Sequence, residues 1–171
     1  MIIKQIKVGY LETNCYILED NLASLIIDPG DDVLKIDQMI KKRVIGILLT
    51  HHHQDHVGGV DYLVNKYKCK VYDINNLKEE NNNIGMFNFN CIYTKGHSND
   101  SISFLFNNNL FCGDFIFENA IGRTDLPTGN MLDMQNSIKK IIKYDENIVI
   151  YPGHGNITSL KKEMSNLQSF L

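Results

Sequence analysis

Short apolar runs and longer amphipathic stretches succeed one another along the chain. Runs at 1–8, 14–19, 24–28, 44–49, 69–73, 86–94, 101–106, 110–113 and 147–151 are rich in β-branched and aromatic residues and are bounded by polar or glycine positions. They predict strands. Apolar residues recur at helical spacing over roughly 32–42, 57–67, 131–144 and 158–170. In the third of these, Met131, Met134, Ile138, Ile141 and Ile142 would share one buried face, so the methionines are read as core. The asparagine runs at 81–83 and 107–109 are read as polar turns. Strands interleaved with helices indicate an α/β protein, and 171 residues suit one domain spanning 1–171 with a single buried core.

The polar residues that carry chemistry follow the strands. Ile45-Gly46-Ile47-Leu48-Leu49 leads to His51, and Cys91-Ile92-Tyr93-Thr94 leads to His97. Leu110-Phe111-Cys112 leads to Asp114, and Ile148-Val149-Ile150-Tyr151 leads to His154. If these strands share a layered core, the groups gather along one edge, where α/β proteins place sites on loops held by a rigid scaffold.

Composition narrows the function classes. Hydrophobic residues make up 43% and charged residues 22%, and the net charge is −3 with no basic run, which disfavours a nucleic-acid partner. No apolar run approaches the ~20 residues that span a bilayer, and the N-terminus alternates like a strand rather than forming a signal region. A cytoplasmic protein acting on a small molecule is expected, and the oligomeric state is left open. The four cysteines form no Cys-x-x-Cys pair and are read as reduced core thiols, with Cys112 bordering the candidate site.

The stretch Thr50-His51-His52-His53-Gln54-Asp55-His56 concentrates imidazoles and a carboxylate. His51 and His53 lie two residues apart, so extended backbone points both the same way and His52 the other. His52 is therefore assigned no metal. Seven donors remain, His51, His53, Asp55, His56, His97, Asp114 and His154. An open mononuclear zinc site uses three protein ligands. Seven suit two cations about 3.5–4 Å apart that share a carboxylate. Imidazole and carboxylate donors without thiolate suit zinc first, with iron or manganese as alternatives.

His51-x-His53-x-Asp55-His56, Gly96-His97-Ser98, Gly113-Asp114 and Gly153-His154-Gly155 together resemble the metallo-β-lactamase superfamily. Thr13-Asn14-Cys15-Tyr16-Ile17-Leu18 and Ile27-Asp28-Pro29-Gly30 resemble its opening strands. The resemblance implies an αββα sandwich, two mixed β-sheets face to face with helices on both outer faces. It implies that His51, His53 and His97 hold one metal, that Asp55, His56 and His154 hold a second, and that Asp114 bridges them. His56 directly after Asp55, the bridging type of Asp114 and the segment Ile121–Pro127 are similar to the short glyoxalase II-like branch, the hydroxyacylglutathione hydrolases. The true β-lactamases of the fold lack that bridging aspartate, which sets this chain apart from antibiotic hydrolysis. Classical glyoxalase II carries a C-terminal helical domain that supplies much of the glutathione site, whereas this chain ends at Leu171. The sequence after His97 also departs from the glycine-rich continuation usual in that branch.

The expected reaction is thioester hydrolysis of the hydroxyacylglutathione type by a metal-bridging hydroxide, with Asp55 orienting the nucleophile. Rival readings are a mononuclear-iron persulfide dioxygenase, a hydrolase of another ester, lactone or phosphoester, a nuclease, and a metal-stabilised binding module. Arg123 is a candidate for an anionic substrate group, or else a salt-bridge partner of Asp125. Asp28 is read as a turn residue before Pro29, or else as a partner behind a ligand. Ser98 and Ser101 are read as structural, and Tyr10 and Tyr151 as packing residues.

Overall fold

The computed structural model describes residues 1–171. The N-terminal half supplies β1 (Ile2–Val8), β2 (Thr13–Glu19), β3 (Ala23–Ile27), α1 (Val33–Met39), β4 (Arg43–Leu48), α2 (Gln54–Val57), α3 (Val60–Tyr67) and β5 (Lys70–Tyr72). The C-terminal half supplies β6 (Glu80–Ile84), β7 (Phe87–Tyr93), β8 (Ile102–Phe106), β9 (Asn109–Gly113), β10 (Ile116–Phe117), β11 (Ala120–Ile121), α4 (Met131–Ile141), β12 (Val149–Pro152), β13 (Thr158–Ser159) and α5 (Leu160–Gln168).

Two mixed sheets result. The first runs β1-β2-β3-β4-β5 and the second β13-β12-β9-β8-β7-β6, with β10-β11 as a separate ribbon. In the first, β3, β4 and β5 are parallel to one another, and in the second β12 is parallel to β9. Strand alternation explains why the sheets must be covered on both faces. On β2, Tyr16 and Leu18 join a core layer with Leu25, Ile27 and Leu48 of the first sheet and Phe89, Cys91, Phe104 and Phe111 of the second. The intervening Cys15 and Ile17 point outward with Ile26 and Ile47 and pack on Ile36 of α1 and Leu63 of α3. On β9, Phe111 points inward, while Leu110 and Cys112 face Met134, Ile138 and Ile141 of α4 and Leu160 and Leu167 of α5. Strands buried on both faces read as continuous apolar runs, as 14–19 and 24–28 do. The architecture is the αββα sandwich.

The differences from the sequence reading have local causes. The Asn81–Asn83 run is not a turn but most of β6, an exposed edge strand paired antiparallel with β7. Its ladder is backbone to backbone, and Asn83 adds a cross-strand hydrogen bond to Asn88 at 2.9 Å, so no apolar alternation marks it. The helix expected over 57–67 is two pieces, because Gly58 and Gly59 pack against the 29–30 backbone, where a Cβ would lie 2.3 Å from the Gly30 carbonyl oxygen and 2.6 Å from that of Pro29. The helix expected from 158 begins as the short β13, and Ser159 then caps α5 by accepting from the Lys162 amide. All four cysteines are free, and Cys112 lies in the core beneath α4 and α5.

Candidate metal centre

The seven donors converge where the two sheets meet at one edge of the sandwich. The first sheet delivers His51, His53, Asp55 and His56 from the segment between β4 and the end of α2. The second delivers His97 after β7, Asp114 after β9 and His154 after β12. The Nδ1 of His53 lies 3.1 Å from Nε2 of His51 and 2.9 Å from Nε2 of His97. Asp55 Oδ2 lies 3.4 Å from Nε2 of His56 and 3.2 Å from Nε2 of His154. Asp114 stands between the two groups. Its Oδ2 is 3.5 Å from His97 and 3.6 Å from His154, and its Oδ1 is 3.4 Å from His56.

The hydrogen bonds behind the rings fix which nitrogen each presents. The Thr50 hydroxyl donates to Asp28 Oδ2 at 2.6 Å, so it accepts from His51 Nδ1 at 3.1 Å. His56 Nδ1 donates to the same Asp28 oxygen at 2.9 Å. His97 Nδ1 donates to the Arg123 carbonyl at 2.8 Å and His154 Nδ1 to the Leu11 carbonyl at 3.1 Å. All four turn Nε2 toward the gap, the arrangement that orients metal-ligating imidazoles. The facing ring nitrogens at about 3 Å can share at most the one proton of His53 between two contacts. They suit donors on a cation instead, since ligands about 2.0–2.1 Å from a tetrahedral metal lie ~3.3 Å apart.

Buried Nε2 of His56 and Oδ1 of Asp114 have no hydrogen-bond partner, and such atoms carry a large desolvation cost unless something occupies the space between them. Three donor triads each draw together within 4.8 Å: His51-His53-His97, His51-His56-Asp114 and Asp55-His56-His154. The residues therefore fit divalent cations. Sterics keep the gap clear: a Cβ on Gly153 would stand 2.2 Å from Asp114 Oδ1 and 2.7 Å from His56 Cε1.

Electrostatics agree with a ligand set. Burial lowers the pKa of His51 far below the ordinary value, and that of His53 as well, with neighbouring imidazoles adding to the effect, so both rings are neutral. Burial alone would raise Asp114, but His56 and the other imidazoles outweigh it and hold the carboxyl near about 2. Asp55 is likewise lowered against its burial, chiefly by His154, His56 and Thr13. His56 is opposed by burial yet raised to about 10 by Asp28 and Asp114.

Other expectations resolve as follows. His52 faces away from the gap, its Nδ1 bonded to Asp100 and its Nε2 3.0 Å from Asp73 Oδ2. Ser98 hydrogen-bonds Asp100 and Ser101, which fits a structural role. Tyr151 stacks on Phe111 at 4.7 Å, but Tyr10 is 90% exposed and packs on little. The Arg123 guanidinium is engaged bidentately by Asp125 at 2.7 and 2.8 Å, which weakens its candidacy for a substrate anion. Asp28 is no mere turn residue, because its carboxylate serves Thr50 and His56. Thr13, Asn14 and Thr50 were not marked in the sequence. All three are polar and fully buried, Thr13 and Asn14 at the head of β2 and Thr50 just past β4, and the sequence carries only their polarity next to apolar runs. Beside Asp55 opens a cavity of about 290 Å³ lined by Tyr10, Leu11, Thr13, Asp31 and Gln54.

The metallo-β-lactamase superfamily model matches residues 8–90 and 70–154, which together contain every one of these donors. The chain belongs to the metallo-β-lactamase superfamily. Among its relatives, a probable metallo-hydrolase of Bacillus subtilis, YqgX, is 31% identical over 94% of this chain and 93% of that protein. Hydroxyacylglutathione hydrolase GloC of Haemophilus influenzae is 28% identical over 95% of each. The hydroxyacylglutathione hydrolase of Francisella tularensis subsp. novicida is 32% identical, covering 81% of this chain but 61% of that longer protein. Of solved structures, the BLEG-1 B3 metallo-β-lactamase superposes with TM-score 0.92 at 31% identity, covering 96% and 97% of the two chains. TTHA1623 in a di-iron-bound form superposes with TM-score 0.86 at 27% identity, covering 95% and 98%.

Proposed function

We propose that the chain is a binuclear metal-dependent hydrolase that cleaves a small thioester of the hydroxyacylglutathione type. The observation that carries this reading is Asp114, whose carboxylate stands between two donor groups that each fit a divalent cation. His51, His53 and His97 would hold the first cation, Asp55, His56 and His154 the second, with Asp114 shared. Divalent cations held there would supply a water whose pKa falls from 15.7 to about 7 and a Lewis acid for an acyl carbonyl. Asp55, ionised at neutral pH and lining the open cavity, orients the attacking water. The acyl carbon gains the water oxygen, the carbon–sulfur bond breaks, and a carboxylate and a thiolate leave, the two protons of the water passing to solvent. Neither serine nor cysteine is needed as nucleophile.

GloC supports the thioester reading, because that hydroxyacylglutathione hydrolase aligns over 95% of its own length. The di-iron form of TTHA1623 makes iron a real alternative to zinc. A second reading, β-lactam hydrolysis, is favoured by the likeness to BLEG-1. The deciding experiment reconstitutes the protein with zinc, iron(II) or manganese, measures metal per chain, and assays a hydroxyacylglutathione, a chromogenic cephalosporin and a persulfide with oxygen consumption. Two metals and thioester turnover, lost in His53→Ala with the fold retained, are expected. One metal or fewer per chain overturns the binuclear model. Turnover of the cephalosporin or the persulfide alone replaces the substrate assignment.

A further inference from the structure

The two donor groups are held very differently from behind. His51 of the first group, through the Thr50 hydroxyl, and His56 of the second lean on the buried Asp28, at 2% exposure, and His97 on a carbonyl within its own half of the fold. Two ligands of the second group depend instead on the head of β2 and the turn before it. The Thr13 hydroxyl donates to Asp55 Oδ2 at 2.9 Å, the same oxygen that faces His154. The Leu11 carbonyl is the acceptor for His154 Nδ1.

The next residue ties this segment to the His154 loop. The Asn14 amide donates to the Gly153 carbonyl at 2.7 Å, and its side chain donates to the carbonyls of Pro152 and Gly155 at 3.0 and 3.1 Å. The turn itself is open to solvent, with Tyr10 90% and Leu11 46% exposed, and both line the cavity beside Asp55.

We propose that Thr13 is the positioning residue of the second cation site, and that the turn from Gly9 to Glu12 makes that site the weaker and separately adjustable one. Without the Thr13 hydroxyl, Asp55 loses the donor that fixes its carboxylate toward His154. Asp55 then rotates among alternatives in a solvated cavity, and a cation must order it on binding. Removing the hydrogen-bonding partner behind a metal ligand typically costs 10–100-fold in affinity. The first site shares neither Thr13 nor the turn, so it is unaffected. Reciprocity follows, because anything that docks in the cavity and orders the turn also tightens the second cation, by the same factor as the cation tightens it.

This rests on the two-cation reading, and the experiment separates the two. Zinc binding is titrated against a competing chelator and counted after dialysis, with no activity measurement. Wild type is expected to hold two zinc ions of unequal affinity. Thr13→Val should leave the tighter step unchanged and weaken the other 10–100-fold, and Thr13→Ser, which keeps the hydroxyl, should restore it. Should the valine variant fold poorly, Thr13→Ala gives the same comparison without a branched side chain. Two ions of unchanged affinity in the valine or alanine variant overturn the proposal while sparing the binuclear reading. Equal weakening of both sites overturns it as well. A wild type that holds one ion overturns the binuclear reading and this proposal together.

Discussion

Asp28 adopts a left-handed backbone conformation, φ 50°, directly after β3, and its carboxylate accepts from the Thr50 amide, the Thr50 hydroxyl and His56. As a residue type before Pro29 it signals a turn, and nothing local reveals that its partners lie 22 and 28 positions on. His52 is the opposite case. Its alternation with His51 and His53 already turns it away from the site, and the structure adds its partners, Asp100 and Asp73. Burial lowers its pKa, but those two carboxylates outweigh burial and raise it. A raised folded pKa gives stability that is complete below the unfolded value of about 6.5 and is lost as pH rises through the folded value. His52→Ala should therefore lower the urea midpoint of the chelator-treated protein clearly at pH 5.5 and much less at pH 9. An equal loss at both pH values would mean that the ring contributes packing alone.

Elements place the donors more than individual residues do. β4, β7, β9 and β12 each end just before a ligand, so a strand-by-strand reading recovers the order in which the site is assembled. The closing loops must then clear the gap. The segment after β12 does so with Gly153, where any side chain meets Asp114 and His56. Gly153→Ala should keep its circular dichroism spectrum but lose activity by about 10²-fold, the scale associated with a ~1 Å misplacement at a reacting centre. Metal content should fall in parallel. An alanine variant with full metal and full activity would show that the loop yields without moving either ligand. β6 shows what the pattern cannot mark. An edge strand of asparagines needs only backbone partners, so its polarity looks the same as that of a turn.

At the scale of the molecule, the sheets meet at an edge where imidazoles and carboxylates face one another. Asp28 and Asp114 raise the pKa of His56 against its burial, which favours a proton on its ring. A ligand imidazole must be neutral, so cation binding releases that proton. Zinc titration of the apo protein at pH 8, repeated in two buffers of different ionisation enthalpy, should show release of about two protons, one from His56 and one from the water whose pKa the cations bring to about 7. Removal of the cations should also lower the melting temperature, since a ligand that binds only the folded state stabilises it. Heats that report a single released proton would show that His56 carries none before the cation arrives. By itself the sequence determined the seven donors, their attachment to strand ends and the two-faced burial of β2 and β3, because those follow from residue chemistry and a period of two. The tertiary structure alone decided that Thr13 serves Asp55 from 42 residues away, that Leu11 serves His154 from 143 away, and that Asp125 takes Arg123. Such partners depend on how one sheet is laid against the other and on which rotamers the closed loops admit. Neither is written in the periodicity of any single segment.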